Sequence, residues 1–301
     1  MVNLYWPAYK RLENELISMT SDIRFDDDQM GVYSDKFMEI LIRTSIEIEA
    51  ISKELYLNNG GEQIEPESDM FFDTVCLQFL EEKWNLSKKC VLVNGVFFSF
   101  GKEENKILTP LRKANKRGTS GAKWKQAYQA VKHNRSKNYK LGNMKNCIVA
   151  LAALYILNIY YKDEIYQFAD SKDVNNFDQT QGSSIFSIMI SKGNSFNGYI
   201  DVDEKSIYCI NYTEEFVKNW EKKQEELNRL IYEQIANEKV ILDAINSGQM
   251  KVEEIVDISK VQNCIGNERF DEIIRNATIR ININQVIRNQ KFYAYLNKIK
   301  Q

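Results

Sequence analysis

The stretch AYQAVKHNRSKNYKLGNMKNCIVALAALYILNIYY, residues 127–161, holds the single histidine of a 301-residue chain. His133 stands between Lys132 and Asn134, with Arg135 next. An imidazole takes or gives a proton near neutrality, and cations beside it can hold a phosphate. Cleavage of RNA by its own 2′-hydroxyl needs little more than a base or acid and positive charge to stabilise the phosphorane. A lone histidine makes no metal site without further soft ligands, and a serine-type triad would need a nucleophile and a carboxylate from elsewhere in the fold. The same residues also have a structural use. A histidine at a helix C-terminus favours the dipole and can hydrogen-bond the last carbonyls, and KHNR fits that role equally well.

The charge around this histidine is one-sided. Between Asn105 and Lys162 there are thirteen lysines and arginines and no acidic residue, which the net charge of −2 conceals. Such a block repels itself unless an anion or an acidic surface meets it. One resolution is nucleic acid, with Lys116, Arg117, Lys125, Lys132, Asn134 and Lys137 as candidate contacts. The other is pairing with acidic residues such as Glu103, Glu104 or the run Asp26–Asp28. Trp124 and Tyr128 lie four apart on one helical face, a spacing that suits either base stacking or a core pair. The run Asp26–Asp28 and the pair Glu214/Glu215 read as solvated faces or as carboxylates for a metal.

Composition bounds the rest. At 44% hydrophobic and 12% aromatic residues, the chain can bury a core. Only 3 prolines and 13 glycines argue against many short strands, so a mainly α fold is expected. Cys76, Cys90, Cys147, Cys209 and Cys264 are far apart in sequence and read as reduced thiols of a cytoplasmic protein. No metal or cofactor is expected. The N-terminus, MVNLYWPAYKRLENE, turns polar too early for a secretory signal. The apolar run Ile148–Tyr161, about fourteen residues and interrupted by Asn158, falls short of the roughly twenty that span a bilayer. It reads as a core helix, with no membrane partner.

The elements that would position these residues follow from periodicity and punctuation. A helix is expected over 3–19, with Leu4, Tyr5, Leu12, Leu16 and Ile17 inward. A polar loop follows, and then a helix capped by Ser34 and ended by NNGG. Asp69–Trp84 repeats the helical pattern. VLVNGVFF, residues 91–98, predicts a β-hairpin turning at Asn94-Gly95. KRGTSGAK reads as a basic loop, followed by helices over Ala122–Asn134 and Asn143–Tyr161. SIFSIMI and SIYCI suggest short strands around a turn at GNSFNGY. Asn211 with Glu214 resembles a capping box opening a charged helix to about Asn246. The chain is expected to divide into a helical domain, residues 1–205, with the hairpin near 91–98, and a charged helical C-terminal extension, residues 206–301.

A helix near 34–57, the basic helix carrying WKQAYQAVKHNR, and the alanine- and leucine-rich helix after it resemble the HEPN superfamily (higher eukaryotes and prokaryotes nucleotide-binding). Among its bacterial members, the chain is similar to those with a W-x-x-x-Y-x-x-x-KH-x-R pattern before the core helix. The resemblance covers roughly residues 34–162. It implies a HEPN-like helical bundle, here with a small β-hairpin insertion, often dimeric with two motifs facing each other. It also implies metal-independent RNase activity in toxin–antitoxin, abortive-infection or other anti-phage defence systems, with an antitoxin or defence partner. The family's usual signature is an arginine, four to six residues, then the histidine. The corresponding positions here are Gln126, Ala127 and Tyr128, and the nearest guanidinium is Arg135, beyond His133.

On an unbroken helix, residues two apart point about 200° from one another. His133 and Arg135 can therefore meet one phosphate only if the helix ends near Asn134, or if an arginine arrives across a homodimer. Lys125 or Lys132 could substitute as a cation, although a lysine is a point charge and not a fork. Two expectations follow. One is a ribonuclease with His133 as general acid/base and Arg135 with the lysines on the phosphate. The other is a non-catalytic dimerisation or sensing module that binds nucleic acid or a partner protein.

Overall fold

The computed structural model describes residues 3–63, 70–94, 96–193 and 202–298. Helix α1 (Tyr5–Ser18) turns Ala8, Tyr9, Leu12 and Leu16 inward, while Leu4 is exposed just before it. Helix α2 (Asp35–Asn58) starts where expected: Ser34 accepts a hydrogen bond from the Phe37 amide at 3.2 Å. The next helical segment opens as a π-helical turn, Phe72–Leu77, and continues as α3 (Gln78–Trp84). Strand β1 (Val91–Val93), helix α4 (Glu103–Lys106) and strand β2 (Ile107–Leu108) lead to helix α5 (Lys123–His133). Helices α6 (Arg135–Asn138) and α7 (Met144–Lys162) follow. Then come β3 (Tyr166–Phe168), α8 (Ser171–Asn175), β4 (Phe186–Ile188), β5 (Ile190–Lys192) and β6 (Tyr208–Tyr212). Helices α9 (Glu214–Ala236), α10 (Lys239–Asn246), α11 (Ile258–Ile265), α12 (Asn267–Ile281) and α13 (Ile283–Arg288) precede the last strand, β7 (Phe292–Leu296).

The chain is mainly α, and α7 is its centre. Residues Cys147, Ile148 and Ala150–Tyr160 are buried on every side of that helix, so α1, α2 and α5 can all pack on it. By length and composition α7 could cross a membrane, yet 78% of its apolar window is buried inside the protein. Aromatic contacts tie it outward: Trp84 stacks on Tyr160 and Tyr9 meets Tyr155 at a tilt, with centroids 5.0 and 5.6 Å apart.

The tight hairpin expected over 91–98 does not form as drawn. Gly95 lies outside the described residues, but Val96 and Phe97 form a turn rather than a return strand. β1 pairs antiparallel with β2 (Val91 opposite Leu108) and, on its other edge, with β4 (Val91 opposite Ile188). Val91 is wholly buried, so β1 sits mid-sheet and both its edges need partners that carry apolar side chains.

A second sheet has the order β3-β7-β6-β5, with β5 and β6 parallel and the other pairs antiparallel. The short strands expected in SIFSIMI and SIYCI are therefore present, while the turn in GNSFNGY falls outside the described residues from 194 onward. Strands from both sides of the 205/206 division share this sheet, and Tyr208, Ile210, Phe292 and Leu296 belong to the main core. Between β6 and β7, α9–α13 enclose smaller clusters of their own around Ile235, Ile241, Val261, Ile273 and Leu230. The cap of α9 is Thr213, not Asn211, whose side chain donates to the Tyr295 hydroxyl across the sheet at 2.8 Å. The charged helix expected to reach Asn246 breaks at Asn237-Glu238, between α9 and α10.

Candidate functional site

Helix α5 forms because Trp124, Ala127, Tyr128 and Val131 fall on one helical stripe and are all buried against the core. The Trp124 indole donates to the Pro110 carbonyl at 2.9 Å. Tyr128 is 1% exposed. Burial raises the pKa of its hydroxyl above the ordinary tyrosine range, with Glu49 adding to the shift as charge and hydrogen-bond partner. Neither ring offers a face for a base to stack on, so the aromatic pair is core.

Lys125 has also gone inside. It is 3% exposed, with its Nζ 2.9 Å from Asp73 Oδ2, 2.8 Å from the Ala114 carbonyl and bonded to the Lys116 carbonyl as well. Its ammonium protons are spent on the protein, which removes it from the set of phosphate contacts. Asp73 is shared, since Arg117 Nε lies 3.0 and 3.1 Å from its two oxygens. Burial alone would push the Asp73 carboxyl up. The hydrogen bonds from Lys125, the Thr74 amide and Arg117 outweigh it and hold the group below the ordinary carboxylate range. Gly121 makes this node possible, because a Cβ there would stand 2.8 Å from the Lys116 carbonyl and 3.3 Å from Lys125 Cε.

The other candidates stay on the surface. α5 ends at His133, and Asn134 (φ −150°, ψ 82°) leaves the helical region before α6 begins. The Asn134 side chain accepts from the Lys137 amide at 3.2 Å, so it caps α6. Lys132, His133, Arg135, Lys137 and Lys140 are exposed along this corner. Among the described residues none of them meets a carboxylate, and the imidazole makes no hydrogen bond. The carbonyl of Ala130 is instead satisfied by the Asn134 amide and the Asn138 side chain, at 2.9 and 3.0 Å. His133 is thus not used to cap its own helix. The corner is braced from below by Tyr33, whose ring meets Tyr139 edge-on at 5.2 Å, and by Met38, which a Cβ on Gly142 would strike at 2.5 Å.

The acidic residues proposed to balance the block do not pair with it among the described residues: Asp26 and Asp27 are engaged locally, and Glu103, Glu104 and Asp28 form no salt bridge. Asp27 receives the Gly101 and Lys102 amides and the Asn105 side chain, while Asp26 holds its own turn through the amides of Asp28 and Gln29. From residue 106 to 145, the two bases that form a salt bridge among the described residues are Arg117 and Lys125, both with Asp73. The structure therefore separates the sequence candidates. Lys116, His133, Arg135 and Lys137 remain free at the surface, Lys132 is exposed with its Nζ 5.4 Å over the Tyr128 ring, Arg117 is anchored but half-exposed, Asn134 is a cap, and Lys125 and Tyr128 are interior. Asp73 was missed because it lies 52 residues before Lys125, and a local charge count does not register it. No protein-family model, curated protein or solved structure matches this chain.

Proposed function

We propose that this chain is a cytoplasmic, HEPN-like nucleic-acid-binding protein that holds single-stranded RNA phosphates along the corner from Lys132 to Lys140. One observation carries the reading: exposed bases run through this corner and no carboxylate compensates them among the described residues. Uncompensated cations are stabilised by displacing the counterions of a polyanion, and this favours nucleic acid over a neutral partner. Binding of a 5′-labelled single-stranded RNA, followed by fluorescence anisotropy, tests it. Affinity should fall steeply as salt rises from about 50 to 200 mM. No binding at the low end overturns the proposal.

A second reading, RNA cleavage without metal, is favoured by the break at Asn134. With the helix ended, the 200° divergence of His133 and Arg135 no longer applies, and the unbonded imidazole is available as general acid/base. A homodimer that sets two such corners against one strand would supply further cations, and an antitoxin or defence-system partner would cover them. Products with 2′,3′-cyclic phosphate ends that vanish in His133→Ala support this reading. Intact RNA retained on the protein points to binding alone.

A further inference from the structure

A cavity of about 680 Å³ opens between α2, the π-helical turn and the loop that precedes α5. Its size falls within the roughly 300–1,000 Å³ of small-molecule sites, and it does not include His133. Met70, Phe71 and Phe72 form an apolar wall, and Glu49, Lys53, Arg117 and Gln129 are among the polar groups opposite. A π-helical turn is itself uncommon and is found often at binding sites.

Asp73 is already engaged: it accepts from Lys125, Arg117 and the Thr74 amide, the last at 2.7 Å. The Glu49 carboxylate adds to the upward shift of the Tyr128 hydroxyl. Lys125 is spent as well, but Arg117 and Lys53 keep free donors among the described residues. Arg117 uses only Nε on Asp73, so Nη1 and Nη2 form no hydrogen bond among the described residues, and neither does Lys53 Nζ. The guanidinium carbon stands 3.9 Å from the centre of the Phe71 ring. Bound on one edge and stacked on one face, the arginine fork is oriented before any ligand arrives, which lowers the entropic cost of binding.

We propose that this cavity binds a small organic oxyanion, a phosphate monoester or a carboxylate with a compact apolar body. The oxyanion meets Arg117 and Lys53, and the body lies on Met70 and Phe72. The site is separate from the RNA corner, and failure of RNA binding leaves it untouched.

Calorimetric titration of the full chain with phenyl phosphate, benzoate, inorganic phosphate and phenol tests it. Phenyl phosphate or benzoate should bind with a Kd of about 1 mM or tighter, about tenfold or more below the Kd of inorganic phosphate and of phenol. Which of the two binds assigns the head group. Arg117→Gln and Lys53→Ala should each weaken that binding about fivefold or more. Lys53 is half-buried on α2 and forms no hydrogen bond or salt bridge among the described residues, so its variant keeps the test valid if loss of Arg117 disturbs folding. Silence from both organic anions at about 10 mM, an equal response to inorganic phosphate, or wild-type affinity in both variants overturns the assignment.

Discussion

Lys125 Nζ lies 2.9 Å from Asp73 Oδ2 in the interior, so the one fully buried base of the 106–145 block is also one that has a carboxylate. That pair sorts the block into two populations: a satisfied node that holds the loop before α5, and a surface of cations with no internal counterpart.

Breaking the node should be costly. Lys125→Ala leaves Asp73 with Arg117 and the Thr74 amide and strips two backbone carbonyls of their donor, a loss of about 3–5 kcal/mol. Lys125→Met combined with Asp73→Leu removes both charges and should recover part of it. Urea melts of the three proteins check this. A single variant as stable as wild type contradicts the assigned role.

The same carboxyl gives an acid-side dependence. Asp73 titrates lower in the folded chain than its ordinary value near 3.8, so the unfolded chain binds the proton more tightly. Its stabilisation is complete above that ordinary value and is lost as pH falls through the lower folded one. Denaturant midpoints measured from pH 5 down to pH 2 should drop less in Asp73→Asn than in wild type. Parallel curves would show that another group governs acid unfolding.

Lys89 behaves in the opposite sense. It is wholly buried and donates to the Glu204 carbonyl at 3.1 Å, and burial pulls its pKa down to about 8 from 10.5. The folded chain therefore holds this proton more weakly than the unfolded chain, and stability rises with pH between those two values. The penalty at neutral pH is on the order of 3 kcal/mol. Lys89→Met should thus match or exceed wild type at pH 7, with its advantage shrinking towards pH 10. An advantage independent of pH would mean that Lys89 titrates normally.

The sequence made the local features legible and left the distant ones hidden. Ser34 caps α2 as read, because the bond runs only to Phe37, three residues on. α7 is central as read, because its apolar residues cover every face. The partners of Val91 were not readable, since Leu108 and Ile188 come from far along the chain and displaced the tight turn expected at Asn94-Gly95. Asn211 looked like a cap but serves Tyr295, 84 residues away. At the candidate site, the exposure of His133 fits its place at a polar helix end. The interior course of Lys125 required Asp73, which no nearby spacing announces.

His133 itself should matter for chemistry and not for folding. It is exposed and makes no hydrogen bond among the described residues, so His133→Ala should stay within about 0.5 kcal/mol of wild type in thermal or urea melts. RNA affinity should change little, while any cleavage should disappear. A large loss of stability would return this histidine to a purely structural role.

The most direct measurement is the salt dependence of RNA binding in wild type and in a variant carrying Lys132→Gln, Arg135→Gln and Lys137→Gln. If the corner holds phosphates, the slope of log K against log salt should shrink by about 2, near 0.7 for each lost contact on a single strand, with the melting temperature unchanged. An identical slope and affinity in the two proteins would contradict the account.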